Sequence, residues 1–280
     1  AAAAVAPGIS RPTLASTLMI ERDVERGFGV TARWDAEFSL VKRRVQAHPR
    51  SFSVIIPARN GEHHIRAAME STIRAIRAAR SLEPALDVEV VMVDDASVDR
   101  TPQVVHQVAT SADDIEFLVF RNPSRVGAAL SRNVGAHHAH GEVLCFLDAD
   151  DYWLPEHLAA AWDTMYSTAE HYVAYFRSGI VVEEDGVLPD WRRAIENAAP
   201  INLCIRADVY RFVEGYPAHP TVANEQEDVV FNEYLRFFTG VFSDSARVVR
   251  VEVPTAVYTR RPGNHLDQFV HSKLMTHTNL

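Results

Sequence analysis

Three aspartates follow one apolar segment, where aromatic residues and a proline then end the pattern. The segment reads CFLDADDYWLP, and its acidic side chains are Asp148, Asp150 and Asp151. Aspartate is poorly suited to strands, and neighbouring carboxylates repel each other unless a positive charge lies among them. Mg²⁺ and Mn²⁺ prefer hard oxygen ligands, and Mg²⁺ commonly takes one or two protein carboxylates together with water and substrate phosphate. The pattern therefore predicts half of a divalent metal site at a strand end.

A structural explanation of the same aspartates is an acidic turn before a helix that starts at Pro155. A second acidic pair, Asp94 and Asp95, ends another apolar segment, VEVVMVDD, and this weakens the purely structural explanation. A carboxylate at the end of a parallel strand can also accept hydrogen bonds from a base or a ribose. The sequence contains neither GxGxxG after a strand nor GxxxxGK[ST], so a metal, rather than glycines, is expected to hold phosphate.

Alternating strand and helix patterns must position these acidic ends. FSVIIP and VEVVMVDD are short apolar runs typical of strands buried on both faces, and IEFLVF and EVLCFLDADD are predicted to be a third and a fourth strand. Helical patterns follow the first three, with Asn60 as the predicted N-cap of the first helix, Pro102 in the first turn of the second, and Gly127 to His140 as the third. These units predict a mainly parallel sheet with helices on both faces, whose ligands collect beyond the carboxyl ends of the strands.

Periodicity divides the chain into three parts. Residues 1–50 have weak periodicity and are predicted to be an N-terminal extension. Residues 51–165 carry the strand and helix alternation and form the predicted nucleotide-binding half. The pattern loosens over residues 166–280, which are predicted to meet the second substrate and to end in a polar tail.

Composition excludes several classes of protein. The chain has 28 basic and 37 acidic residues and a formal charge of -9, which does not favour a nucleic-acid-binding surface. Cys145 and Cys204 lie in apolar runs without metal spacing, and we expect both to be reduced core residues. No segment approaches the roughly 18 consecutive apolar residues of a membrane span. The start, AAAAVAPGIS, lacks the basic region of a secretory signal, so cytoplasmic residence is the default expectation.

Four segments of the chain are informative when they are taken together: SFSVIIPARN, VVMVDDASVDRTP, RVGAALSRNVGAHHAHGEVLCFLDADD and NEQEDVVFNEYL. In order and spacing they resemble the motifs of inverting glycosyltransferase family 2 with the GT-A fold. The resemblance covers about residues 51–262. It implies an α/β domain with a GT-A-type, Rossmann-like, mainly parallel sheet, preceded by an N-terminal extension. It also implies a transferase that uses Mn²⁺ or Mg²⁺ to move a sugar from a nucleoside diphosphate donor, expected to be a UDP-sugar, onto an acceptor.

The resemblance implies roles for individual residues. The donor would be bound by Pro57, Ala58, Arg59, Asn60, Asp95, Arg132, Asp148 and Asp150. Within this set Asp95 would bind the base, and Asp150 the donor ribose or sugar. Asp151 and Asp150 would ligate the metal, and His265 in the tail could add a ligand. Arg59 replaces an aromatic residue common in the family, so it is expected either to stack on the base or to reach a phosphate.

The resemblance places the general base in the acidic pair Glu227-Asp228, and we expect it to be Asp228. Inverting transfer needs one carboxylate to take the proton of the acceptor. The alternative is that Glu225, Glu227 and Asp228 only favour the start of a helix electrostatically.

Two other functions stay open from the sequence. One is nucleotidyl transfer that forms a nucleotide-sugar, although PARNGEHH is a poor match to the glycine-rich basic loop of that class. The other is a sugar-nucleotide-binding protein without catalysis. The processive-synthase motif QxxRW is absent, which favours the addition of one sugar per encounter. The donor sugar, the acceptor and the oligomeric state have no signature in the sequence.

Overall fold

The computed structural model describes residues 51–167, 172–183, 195–217, 227–241 and 246–259. Within these ranges the strands are β1 Ser51–Ala58, β2 Asp87–Asp94, β3 Glu116–Arg121, β4 Val143–Phe146, β5 Tyr152–Trp153, β6 Tyr172–Val182, β7 Leu203–Arg206 and β8 Ala246–Tyr258. The main helices are α1 Ile65–Leu82, α2 Thr101–Ser111, α3 Ala128–His138, α4 His157–Ser167, α5 Ala207–Phe212 and α6 Glu227–Val241. The predicted extension over residues 1–50 and His265 lie outside the described residues.

All the described strands form one sheet with the order β3-β2-β1-β4-β7-β6-β8-β5. β1 pairs in parallel with β2 and β4, and β2 pairs in parallel with β3. β7 pairs antiparallel with β4 and β6, while β6 and β8 are parallel. The sheet continues across residue 165, and the predicted division there stays a prediction. Because β1 to β4 all run in one direction, the loops that follow them all begin at the same edge of the sheet, where the carboxyl ends of these strands lie.

Helices cover both faces of the parallel part of the sheet, as the sequence predicts. On one face Val54 and Ile56 of β1 pack in a buried cluster with Ile65 and Met69 of α1. On the other face α3 approaches so closely that a Cβ on Gly135 would lie 2.5 Å from Ile55 Cγ2. β1 is buried along almost its whole length. Burial of each large aliphatic side chain stabilises the fold by about 1.5 to 3 kcal/mol.

The start of α1 differs from the prediction that Asn60 caps it. The helix begins at Ile65, and the preceding residue, His64, makes no side-chain cap hydrogen bond. Asn60 lies earlier, with φ at 48°, and its Oδ1 accepts a hydrogen bond from Val98 N at 3.0 Å. The N-cap prediction is wrong because Asn60 joins two loops instead of starting a helix. Pro102 does lie in the first turn of α2, as predicted.

Three further predictions concern the core, the third helix and the membrane. Cys145 and Cys204 are free and fully buried, as predicted, and are paired in register across β4 and β7. The third helix is shorter than predicted, since the backbone is already extended at Ala139. Within the described ranges no helix combines the length and the apolarity that a membrane crossing requires.

Candidate active site

The loops that follow β1 and β2 are joined by reciprocal hydrogen bonds. Arg59 Nη1 donates to the carbonyl oxygens of Asp95 at 2.6 Å and Ala96 at 3.1 Å. Asn60 N donates to Ser97 Oγ at 2.9 Å. Asn60 and Ala96 both have positive φ values, of 48° and 54°, a conformation uncommon for residues other than glycine. The contacts between the loops hold this conformation, and they give Arg59 a structural partner at the edge of the sheet.

Asp95 is buried and supports the loop that leads into α3. Its Oδ1 accepts hydrogen bonds from Asn122 Nδ2 at 3.0 Å and Val126 N at 2.8 Å. Its Oδ2 accepts one from Gly127 N at 2.9 Å, and Gly127 has a φ of 94°. Glycine suits this position because it adopts positive φ readily. The Asp95 carboxylate therefore already has three protein donors.

Asp94, the other member of the pair, lines a cleft of about 230 Å³. Ala58, Asp94 and Arg121 end β1, β2 and β3 and are direct neighbours in register. Arg121 Nη1 lies 2.8 Å from Asp94 Oδ2, and the Arg121 side chain is 54% exposed. Apolar side chains of α2 and β3, including Val105 and Phe120, complete the walls. Asp94 is almost fully buried, and its Oδ1 accepts a hydrogen bond from Ser97 N at 3.0 Å. The polar group that the cleft exposes beside apolar surface is therefore the Arg121 guanidinium, which suits a flat polar ring. Arg121 is a site residue that the motifs do not reveal, and its signal in the sequence is its place at the end of the third apolar strand.

The carboxylates that follow β4 act electrostatically on Tyr258. Asp151 is buried, and its Oδ1 accepts a hydrogen bond from Thr259 N at 2.7 Å. Burial raises the pKa of Tyr258, and the charges of Asp151, Asp148, Asp150 and Asp228 raise it further. Four carboxylates predicted as site residues therefore act on one hydroxyl group. Tyr258 is the last residue of β8. The weak periodicity in the second half of the sequence did not predict that this tyrosine belongs to the site.

The oxygen donors of Asp150 and Asp151 fit a hard divalent cation. The two carboxylates are adjacent in the chain at the end of β4, and oxygen is the ligand type that Mg²⁺ and Mn²⁺ prefer. Within the described ranges no group of three or more histidine, cysteine, aspartate or glutamate side chains is arranged to hold a metal. A cation here would therefore need oxygen ligands from water and substrate, as Mg²⁺ commonly does.

Arg132 joins two of the predicted site residues. Its Nη2 donates to Asp148 Oδ1 at 2.7 Å, and its Nη1 donates to Asp228 Oδ1 at 3.0 Å. The guanidinium carbon lies 5.0 Å from the centre of the Tyr216 ring. Burial opposes the charged form of Arg132, but the Asp148 and Asp228 carboxylates hold its pKa above the usual value. The structure thus brings Arg132, Asp148 and Asp228 together.

Asp228 lies in the first turn of α6 with its side chain 31% exposed. Burial raises its pKa to about 7, an effect that Arg132 opposes and that the charges of Asp148 and Glu227 reinforce. A carboxyl group with a pKa near 7 can take and release a proton close to neutral pH. The arrangement provides a partly exposed proton acceptor next to the carboxylates at the end of β4.

Comparison with known proteins gives the same family as the motifs. The family profile described as Glycosyl transferase family 2 matches residues 53–214. An uncharacterized glycosyltransferase of Haemophilus influenzae is 35% identical over 104 residues, which are 37% of this chain and 31% of the relative. The Escherichia coli enzyme UDP-Glc:alpha-D-GlcNAc-diphosphoundecaprenol beta-1,3-glucosyltransferase WfaP is 28% identical over 136 residues, 49% of this chain and 48% of that enzyme. The chain therefore spans between about a third and a half of these relatives.

Two solved structures support the fold. S. aureus TarS 1-349 in complex with UDP-GlcNAc has a TM-score of 0.59 and 22% identity, covering 77% of this chain and 60% of that TarS fragment. The mannosyltransferase PcManGT from Pyrobaculum calidifontis, in complex with GDP-Man and Mn²⁺, has a TM-score of 0.55 and 19% identity. That match covers 84% of this chain and 69% of PcManGT. At these identities the likeness concerns the fold, which is GT-A as predicted.

Proposed function

This chain belongs to glycosyl transferase family 2, and we propose that it transfers one sugar per encounter from a nucleoside diphosphate donor to an acceptor, with inversion at the anomeric carbon. The observation that carries this proposal is the Asp228 carboxylate. It has a pKa of about 7 and is joined through one guanidinium to Asp148 at the end of β4. A proton acceptor is thereby held beside the carboxylates expected to meet the donor diphosphate.

The donor would lie along the carboxyl ends of β1 to β4. We assign the base to the cleft that Ala58, Asp94 and Arg121 line, because the exposed Arg121 guanidinium can donate hydrogen bonds to the edge of a ring. Asp95 supports the loop beside this cleft, since its oxygens already accept three protein hydrogen bonds. UDP is the expected nucleotide, in keeping with the UDP-GlcNAc complex of TarS and the UDP-Glc in the name of WfaP.

The diphosphate would lie against the end of β4, where Asp150 and Asp151 would hold Mn²⁺ or Mg²⁺. The chemistry that such a bound cation supplies is stabilisation of the negative charge that grows on the leaving diphosphate. The hydrogen bond from Thr259 N, directly after β8, to Asp151 Oδ1 holds the second of these carboxylates in place. The Mn²⁺ in the PcManGT complex supports the choice of metal.

Asp228 would act as the general base. An acceptor hydroxyl gives its proton to the Asp228 carboxylate while its oxygen forms a bond to the anomeric carbon. The bond from that carbon to the diphosphate oxygen breaks on the opposite face, and its electron pair leaves with the nucleoside diphosphate. The configuration at carbon is inverted because attack and departure occur on opposite faces. A positioned base of this kind contributes about 10² to 10⁴-fold in rate.

A thermal-shift and calorimetric titration of the intact chain tests the donor assignment. UDP, GDP and CDP are added separately, each with and without MnCl₂. Binding to the folded state stabilises it by RT ln(1 + [L]/Kd), so we expect a rise in Tm with UDP that grows when Mn²⁺ is present. Arg121→Gln should weaken UDP binding, while Arg66→Gln, on the exposed surface of α1, serves as the matched control. Equal shifts with all three nucleotides would refute a selective base site.

Product analysis separates transfer from the alternatives. Incubation with a UDP-sugar and a panel of acceptors should release UDP and form a glycoside of inverted configuration, detected by NMR. Formation of UDP-sugar from UTP and a sugar phosphate would instead identify a nucleotidyltransferase. Binding of UDP-sugar without turnover on any acceptor or on water would identify a binding protein.

A further inference from the structure

Arg132 is enclosed by protein rather than open to a ligand. Its side chain is only 3% exposed. Both terminal nitrogens donate to carboxylates, Nη2 to Asp148 and Nη1 to Asp228, and the Tyr216 ring lies against the guanidinium. A bidentate guanidinium is a rigid fork, so it fixes the relative position of the two groups that it binds. This placement differs from the donor contact that the family resemblance implies.

The helix that carries Arg132 is itself held firmly. Gly127, directly before α3, donates its N–H to Asp95, and Gly135 brings α3 into close contact with Ile55. Asn133 Oδ1 accepts hydrogen bonds from Tyr216 N at 2.9 Å and the Tyr210 hydroxyl at 2.6 Å. α3 is therefore anchored to the sheet and to the segment that carries Tyr216. Arg132 extends from this fixed base to α6.

Asp228 has one oxygen bound and one available. Arg132 donates to Oδ1, and among the described residues no side chain or backbone group donates a hydrogen bond to Oδ2. Because the side chain is 31% exposed, Oδ2 is the oxygen left for the proton of an acceptor. We propose that Arg132 is a positioning residue that binds Oδ1 of Asp228 and so orients the carboxylate toward the acceptor, without contacting the donor. This inference rests on the proposed role of Asp228 as general base.

The charges around Asp228 show why it needs this partner. The charged and titratable groups near it are Arg132 on α3, Asp148 after β4, Glu227 on α6, Arg177 on β6, Tyr216 after α5 and Tyr258 on β8. Without Arg132, the Asp148 and Glu227 carboxylates would oppose ionisation of Asp228, and Arg177 would be the cation left to favour it among the described residues. Burial and like charges both favour the protonated form of a carboxyl group. A protonated Asp228 cannot take a proton from the acceptor.

Two substitutions at one position test the proposal. Arg132→Gln removes the charge, and Arg132→Lys keeps a charge but loses the planar fork. The matched control is Arg236→Gln on the exposed side of α6, where Arg236 pairs with Glu233. For each variant we would measure kcat/KM from pH 5.5 to 9 and the Kd of UDP with Mn²⁺ by calorimetry.

We expect Arg132→Gln to lower kcat/KM at pH 7 by at least about 10-fold, part of the 10² to 10⁴ that a general base contributes. The acid limb of its kcat/KM profile against pH should move to higher pH by at least about one pH unit, because Asp228 loses the positive charge of Arg132. Arg132→Lys should also lower kcat/KM, but the acid limb of its pH profile should stay near that of the original chain. UDP affinity should stay within about 3-fold in both variants, and Arg236→Gln should behave like the original chain.

Two results would overturn the proposal. One is an unchanged acid limb in Arg132→Gln, and the other is a large loss of UDP affinity, which would make Arg132 a donor ligand. A carboxyl ¹³C NMR titration of the chain and of Arg132→Gln gives the same answer without any substrate, with Asp228→Asn used to assign the signal. If the chain neither binds nucleotide nor transfers sugar, the proposed function fails. The titration still shows whether Arg132 holds Asp228 ionised.

Discussion

A single carboxyl group, Asp228, carries the chemical step in the proposed reaction, and its environment sets when it can act. The side chain is partly buried, which raises its pKa to about 7 despite the Arg132 guanidinium. A general base works only in its deprotonated form, so the rate should fall as the pH drops below about 7. Because this pKa is close to neutral pH, Asp228 can also release the proton readily after the transfer.

We predict that Asp228→Asn lowers kcat by about 10² to 10⁴-fold, because the amide is isosteric but takes up no proton. UDP affinity should be retained, since Asp228 lies on the acceptor side in the proposed mechanism. Glu233→Gln makes the equivalent change on an exposed part of α6 and should leave the rate unchanged. Activity assays, calorimetry with UDP and a melting curve for each variant check these outcomes. Full activity of Asp228→Asn would exclude it as the base.

At the level of secondary structure, the contact between α3 and β1 decides where Arg132 lies. The packing distance is set by Gly135, because any Cβ there would meet Ile55 Cγ2 at 2.5 Å. Helix and sheet can approach this closely only at a residue without a side chain. The helix position then determines whether the guanidinium reaches both Asp148 and Asp228. Packing in the core is thus linked to geometry in the site.

Gly135→Ala should therefore destabilise the protein by about 1 to 3 kcal/mol, the usual cost of overpacking a core. Transfer activity should fall as well, because α3 must move away from β1. The control is Gly240→Ala on α6, where an added Cβ would have no atom of the described residues within 4 Å. Alanine is favoured over glycine inside a helix by up to about 1 kcal/mol, so the control should be neutral or stabilising. Urea unfolding measures both, and equal stability of the two variants would contradict the packing argument.

Across the whole molecule, the sequence predicts the first half of the fold better than the second. Strands buried on both faces leave clear apolar runs, and acidic residues at their ends show which edge binds ligands. The pairing of Arg132 with Asp228 spans 96 positions of the chain, and no local pattern reports a contact at that distance. Adjacent residues of a strand point to opposite faces, so the pair Asp94 and Asp95 alone does not show which carboxylate faces the cleft.

The amino ends of the same strands carry a separate polar cluster, far along the sheet from the proposed active site. Buried Glu89 on β2 accepts hydrogen bonds from Ser53 Oγ at 2.5 Å and His140 N at 2.6 Å. The His140 ring Nδ1 lies 3.0 Å from the second Glu89 oxygen. Burial opposes the charged form of Glu89, but these hydrogen bonds together lower its pKa. The hydrogen bond and charge of Glu89 raise the pKa of His140 in turn.

This cluster makes stability depend on pH independently of activity. A histidine whose pKa is raised on folding adds stability that is complete below the unfolded value, about 6.5, and that disappears as the pH rises through the folded value. His140→Gln should therefore lower Tm relative to the original chain at pH 6, and the difference should shrink by pH 8.5. His106→Gln, at an exposed position on α2, is the control. A difference in Tm that stays constant between pH 6 and 8.5 would show that His140 acts through packing rather than charge.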